Sequence, residues 1–218
     1  KKGVMQQIFS QQIRFKDDEG NEYLEWEEFR LGDIGKTFNG LTGKTSDDFG
    51  DGYPFITYKQ IFDSSKIDTE KFGFVSITEG EKQNRTKYGD VFFTTSSETP
   101  NEVGYASVLL DEVENLYLNS FCFGYRIISV QALKPEFARW LFGSQKFRKK
   151  VVRLAQGSTR YNMSKVELMK LSVFLPCIAE QEKIADFLTA IDNKIDQAWS
   201  KLEQTKAFKK GLLQKMFV

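Results

Sequence analysis

Between Lys146 and Arg160 the chain carries Lys146, Arg148, Lys149, Lys150, Arg153 and Arg160 without an acid, and Tyr161, Asn162 and Lys165 follow. Cations at this density can hold phosphate oxygens, and the guanidinium and amide groups beside them can hydrogen-bond base edges. A solvated basic helix face would have the same composition. Two further loops carry suitable donors and acceptors. LTGKTSDDFGDGYPFITYKQ offers Lys44 and Thr45 in a glycine-rich turn, then Tyr58, Lys59 and Gln60 at the end of a strand-like run. Of these, Gln60 has the amide that pairs bidentately with adenine. TTSSETPNEVG presents Thr95, Ser96, Ser97 and Glu98, and a carboxylate such as Glu98 can accept from a cytosine amine. A plain surface turn accounts equally well for that segment.

Other chemistries are poorly supported. The sequence has no histidine, which removes the commonest general base and most zinc-ligand sets. Cys122 and Cys177 lie far apart in unlike contexts, so they read as two reduced thiols. Asp90 and Glu98 sit near lysines, but no second acid falls at a spacing suited to a nuclease. A glycine-rich phosphate loop, an Asn-Pro-Pro-Tyr segment and helicase motifs are all missing. The expectation is therefore no catalytic residue, no metal and no cofactor. No apolar run approaches the roughly 18 residues of a membrane span, and no signal peptide is evident, so a soluble, cytoplasmic protein is expected.

The net charge of +1 conceals an asymmetry. Residues 1–145 hold 16 Lys and Arg against 23 Asp and Glu, and residues 146–218 hold 15 against 7, a charge of −7 followed by +8. A positive surface confined to one part of the molecule is the footprint of a phosphate-binding protein, or of a solvated basic helix.

These loops need a scaffold. The runs FRLGDI, YPFITY, FGFVSI, GDVFFTT, YASVLL and FCFGYRIISV, separated by Gly, Asn, Asp and Ser, predict an irregular β-rich core. Pro135 opens a helical pattern in which Phe137, Trp140, Leu141, Phe147, Val151 and Leu154 recur at spacings near three and four. Ser164 and Glu167 have capping-box spacing, and LSVFLP adds a strand ended by Pro176.

Beyond Pro176 there is no proline, and Gly211 is the only glycine, so the remainder can form one helix about 60 Å long. Alternate steps of four and three give Ile184, Leu188, Ile191, Ile195, Ala198, Leu202, Thr205, Lys209, Leu212 and Met216, eight of the ten apolar. This is a coiled-coil seam that needs a second helix. The pairing residues are expected to be Ile184, Leu188, Ile191, Ile195, Leu202, Leu212 and Met216. KKGVMQQIF at Lys1–Phe9 returns as KKGLLQKMF at Lys209–Phe217 with five identities, as when a piece is cut from a longer protein holding two copies of one unit.

EWEEFRLGDI, QGSTRYNMS and LSVFLPCIAEQEKIADFLTAIDNKI together resemble the specificity subunits of type I restriction-modification systems, over essentially the whole chain. The pattern P-x-x-x-E-Q-x-K-I-A-x-F-L-x-x-I-D after G-S-T-R-x-N-x-S carries most of the weight. The resemblance implies an α+β fold, with an irregular β-rich target-recognition domain and small helices followed by one long coiled-coil-type helix. The expected division is the end of a preceding conserved helix at 1–10, a linker at 11–28, the recognition domain at 29–177 and a spacer helix at 178–218. It further implies double-stranded DNA, a methyltransferase subunit and a restriction subunit as partners, with a second recognition half or a homodimer joined through the long helix. The recurring G-S-T-R-x-N element adds Ser158 and Thr159 to Arg160, Tyr161 and Asn162 as DNA contacts, although some of these residues can serve as turn formers. Two other readings stay open: the recognition region of a single-chain restriction and methylation enzyme, and a structural coiled-coil protein with a globular cap.

Overall fold

Val91, Phe92, Phe93 and Thr94 are all buried, as befits a strand covered on both faces. The computed structural model describes residues 1–157 and 159–216. In chain order the elements are α1 (Lys2–Phe9), β1 (Glu27–Arg30), α2 (Leu31–Ile34), β2 (Gly35–Asn39), β3 (Phe49–Ile56), α3 (Tyr58–Asp63), β4 (Gly73–Val75), β5 (Val91–Thr94), β6 (Ser96–Ser97), β7 (Ala106–Val108), β8 (Tyr117–Leu118), β9 (Cys122–Ile127), α4 (Pro135–Gly143), α5 (Gln145–Val152), β10 (Ala155–Gln156), β11 (Tyr161–Met163), α6 (Lys165–Met169), β12 (Ser172–Leu175) and α7 (Ile178–Met216).

The central sheet has the order β2-β9-β5-β7 and is antiparallel throughout. Side chains alternate across β5, so Val91 and Phe93 enter one core while Phe92 enters another. The larger core joins Phe93 and Phe123 to Phe137, Trp140 and Phe142 of α4 and Phe147 of α5, with Ile8 and Phe9 of α1 against the same cluster. Gly124 of β9 lies under the Phe38 ring, where a β-carbon would collide with it. Three small sheets, β4-β3-β8, β10-β11-β6 and β1-β12, surround this centre. The expected α+β architecture with a long last helix is what the structure has.

Local differences have identifiable causes. FRLGDI is not one strand: the chain turns through α2, and β2 begins only at Gly35. YPFITY also ends early, because Thr57 caps α3 by accepting from the Gln60 amide. The single helical pattern after Pro135 is two helices. Ser144 between them is extended, and its hydroxyl accepts from the Phe147 amide to start α5.

Residues 11–28 pack against the domain and the long helix. Phe15 meets Phe187 edge-on at 5.4 Å, Trp26 is buried, and Lys183 binds Asp18. Glu180 on the first turn of α7 is fully buried beside Arg14 and Trp26. Gln181 bridges the carbonyls of Ala132 and Pro176 and accepts from the Lys134 amide. Asp192 completes the attachment through Arg139 at 2.5 Å and through Lys1. No described helix is long and apolar enough to cross a membrane.

Candidate nucleic-acid interface

The sheet β10-β11-β6 joins two of the loops singled out in the sequence. Tyr161 pairs with Ser97 and Asn162 with Ser96. Gly157, at φ +128, makes the turn toward Arg160, and a β-carbon there would strike the Arg160 carbonyl. Tyr58 reaches the same place from the start of α3, its hydroxyl donating to the Ser96 carbonyl at 2.8 Å. Burial pushes the Tyr58 phenol above its ordinary pKa, so it stays a neutral donor. An open cleft of about 420 Å³ results, lined by Tyr58, Phe62, Ser96, Ser97, Glu98, Glu102, Phe121 and Arg160. Ser97 is committed to Glu102, its hydroxyl donating at 3.0 Å. Glu98 and Arg160 are exposed, and neither side chain has a hydrogen bond or ion pair among the described residues.

A second cleft, of about 440 Å³, lies between α1 and α5 and is lined by Lys146, Lys149, Lys150 and Arg153 together with Gln6, Phe9, Ser10 and Gln145. At 100° per residue Lys146, Lys149 and Lys150 share one face of α5, which Arg153 extends at the C-cap, and Phe147 and Val151 fall on the buried side. Lys149 and Arg153 are exposed. Lys146 lies over the Phe174 ring at 5.0 Å, and Lys150 donates to the Ser172 carbonyl at 2.6 Å, so these two are partly committed. No acid lines this cleft, whereas the first holds two.

Arg148 leaves α5 on the opposite side and serves the fold. It donates to the carbonyls of Asn101, Val103 and Gly104 and stacks over Tyr105 at 4.6 Å. Its burial lowers its pKa, although a guanidinium keeps its charge.

Several sequence expectations are corrected. Lys44, with a side chain only 5% exposed, is held by Glu81 at 2.7 Å and is not free for phosphate. This bond, together with those from the Gln83 side chain and the Thr78 amide, lowers the Glu81 pKa to about 2. Thr45 is occupied in a capping box with Asp48. Gln60 spends its amide on the carbonyls of Asp68 and Lys71, and so is no adenine reader in this conformation. Lys59 is exposed and paired with Asp63 at 2.6 Å. Thr159 is exposed beside Arg160, and Ser158 lies outside the described residues. Phe62, Phe121 and Glu102 enter the first cleft without having been singled out in the sequence. Phe121 stands directly before a buried strand and is 63% exposed, a property that the apolar run FCFGY does not reveal.

The helical seam also divides. Ile184 and Leu188 are fully buried in the domain's own core, so they attach α7 to the domain and are unavailable to a second helix. Ile191 and Ile195 are half-buried, and Leu202 and Leu212 are exposed, as are Trp199, Phe208 and Leu213. The Met216 side chain lies outside the described residues.

Comparison with known proteins gives a consistent result. The family model described as type I restriction modification DNA specificity domain matches residues 23–205. A putative type I restriction enzyme specificity subunit, MjaX, of Methanocaldococcus jannaschii is 28% identical over 220 residues, covering 96% of this chain and 49% of that protein. Among solved structures, a type I restriction-modification S subunit from M. genitalium is similar with TM-score 0.57 and 14% identity, covering 85% of this chain and 42% of that one. The HsdS subunit from Thermoanaerobacter tengcongensis is similar with TM-score 0.56 and 16% identity, covering 89% and 43%. A chain from a structure addressing complex assembly and conformational transition of the type I R-M system has TM-score 0.62 and 18% identity, covering 96% and 48%. The chain thus spans about half the length of the relatives it matches.

Proposed function

We propose, for a chain that belongs to the family of type I restriction modification DNA specificity domains, that it reads half of a bipartite DNA site and docks the methyltransferase subunit of a restriction-modification complex. It acts without catalysis of its own and requires no cofactor, in the cytoplasm where its DNA lies. The observation that carries this reading is the division between the two clefts. One has four cations and no acid, which suits phosphate; the other mixes carboxylates, hydroxyls, a guanidinium and aromatic rings, which suits base edges. A phosphate would be repelled by Glu98 and Glu102 in the first cleft, whereas a base edge offers donors as well as acceptors.

In this reading residues 29–177 are the recognition domain and α7 is the spacer. The clamps at Glu180 and Asp192 set the direction in which the spacer leaves the domain. Its exposed stripe, Leu202, Leu212 and their apolar neighbours, pairs with a second long helix from another recognition half or from another copy of the chain. Restriction and methylation are performed by the partner subunits. The test is sedimentation of the chain with a methyltransferase subunit and duplex DNA. Co-migration of all three is the expected result, and a complex that excludes DNA contradicts the reading.

A further inference from the structure

We propose that the cleft between β6, β11 and α3 reads one G·C base pair, with Arg160 donating to guanine and Glu98 accepting from cytosine. The inference rests on the proposed DNA-reading function and deepens it by naming the base pair.

The groups in this cleft fall into two sets. Tyr58 is tied to the Ser96 carbonyl and Ser97 to Glu102, so these define its walls. Tyr58 and Phe62 stack at 6.1 Å with 19° between their planes, and Phe121 stands exposed on the rim. The side chains of Glu98 and Arg160 are the charged groups left without a protein partner among the described residues. One is solely an acceptor and the other solely a donor.

This pair of chemistries discriminates among base pairs. In the major groove guanine presents two adjacent acceptors, O6 and N7, which fit the fork of a guanidinium, and its cytosine presents the N4 amine, which fits a carboxylate. An A·T pair offers no adjacent pair of acceptors on one base, so the guanidinium would be left with a single bond there. A backbone phosphate satisfies Arg160 alone and sets its charge against Glu98 and Glu102. Both side chains are exposed and bear no structural bond, so removing either should leave the fold intact.

The test is selection from a randomised duplex library by the full chain and by three variants: Arg160→Ala, Glu98→Gln and Lys149→Ala. Circular dichroism checks the fold of each. The expected result is a motif in which one G·C position is specified by the unaltered chain. Arg160→Ala and Glu98→Gln each weaken the preference at that same position by about tenfold or more, while Lys149→Ala lowers retention without changing the motif. The inference is overturned if both variants retain the motif unchanged, or if they relax different positions. Failure of the unaltered chain to enrich any motif overturns the DNA-reading function itself, and this inference with it.

Discussion

Arg14 grips Glu180 with two nitrogens, Nε to Oε1 at 2.9 Å and Nη2 to Oε2 at 3.1 Å, joining the segment before the domain to the first turn of the long helix. Trp26 Nε1 donates to the same Oε2 at 3.2 Å. The carboxylate is fully buried, so these donors stand in for the water it has lost. Arg14→Ala should therefore destabilise the chain by about 3 kcal/mol in urea unfolding. A loss below about 0.5 kcal/mol would mean that water replaces the guanidinium.

The division of the helical seam predicts a contrast between two leucines. Leu188→Ala removes a fully buried side chain from the domain core and should cost about 2–5 kcal/mol of unfolding free energy. Leu212→Ala, where the side chain is 46% exposed, should change the stability of the isolated domain very little. Equal losses would contradict the assignment of Leu188 to the domain and Leu212 to a partner.

Helix pairing has its own readout. Under the proposed arrangement the chain associates through the distal half of α7, and Leu202→Asp, by setting a charge in an apolar seam, should shift it to monomer in sedimentation while the circular dichroism of the domain persists. An unchanged sedimentation profile would remove the distal stripe from the interface.

The basic face of α5 should control affinity rather than sequence preference. Lys149→Ala and Arg153→Ala should each weaken binding to all duplexes and reduce the salt slope by about 1. An unchanged slope in both would take this face out of phosphate contact.

The bond between Lys44 and Glu81 predicts a dependence on pH. Glu81 titrates in the folded chain at about 2, below its ordinary carboxylate value of 4.5, because Lys44 bonds the ionised form. The stability it contributes is complete above that ordinary value and is lost as pH falls toward 2. Lys44→Met should reduce the loss of unfolding free energy between pH 5 and pH 3, as measured by denaturant titration at each pH. A loss as steep as that of the unaltered chain would show that other carboxylates account for it.

The sequence disclosed the elements whose signals are local. The apolar run after Gly89 and Asp90 made Val91–Thr94 legible as a strand, and the long stretch without proline marked α7. It disclosed less where long-range partners decide. Nothing around Lys44 marks Glu81 as its ion-pair partner, and the amide of Gln60 is claimed by carbonyls 8 and 11 residues away. Helical periodicity was visible from Ile184 to Met216, but it cannot distinguish a stripe that docks on its own domain from one that awaits another helix. Among the expected contacts, Ser96, Ser97, Arg160, Tyr161 and Asn162 were assembled by the pairing of β6 with β11, a register that the separate loops do not announce.

Sequence reading by this chain is tested by sequencing the duplexes that it retains from a randomised library at near-physiological salt. A short motif should be enriched, occurring as an inverted pair when two copies join through their helices. Retention of DNA with no sequence preference would contradict it.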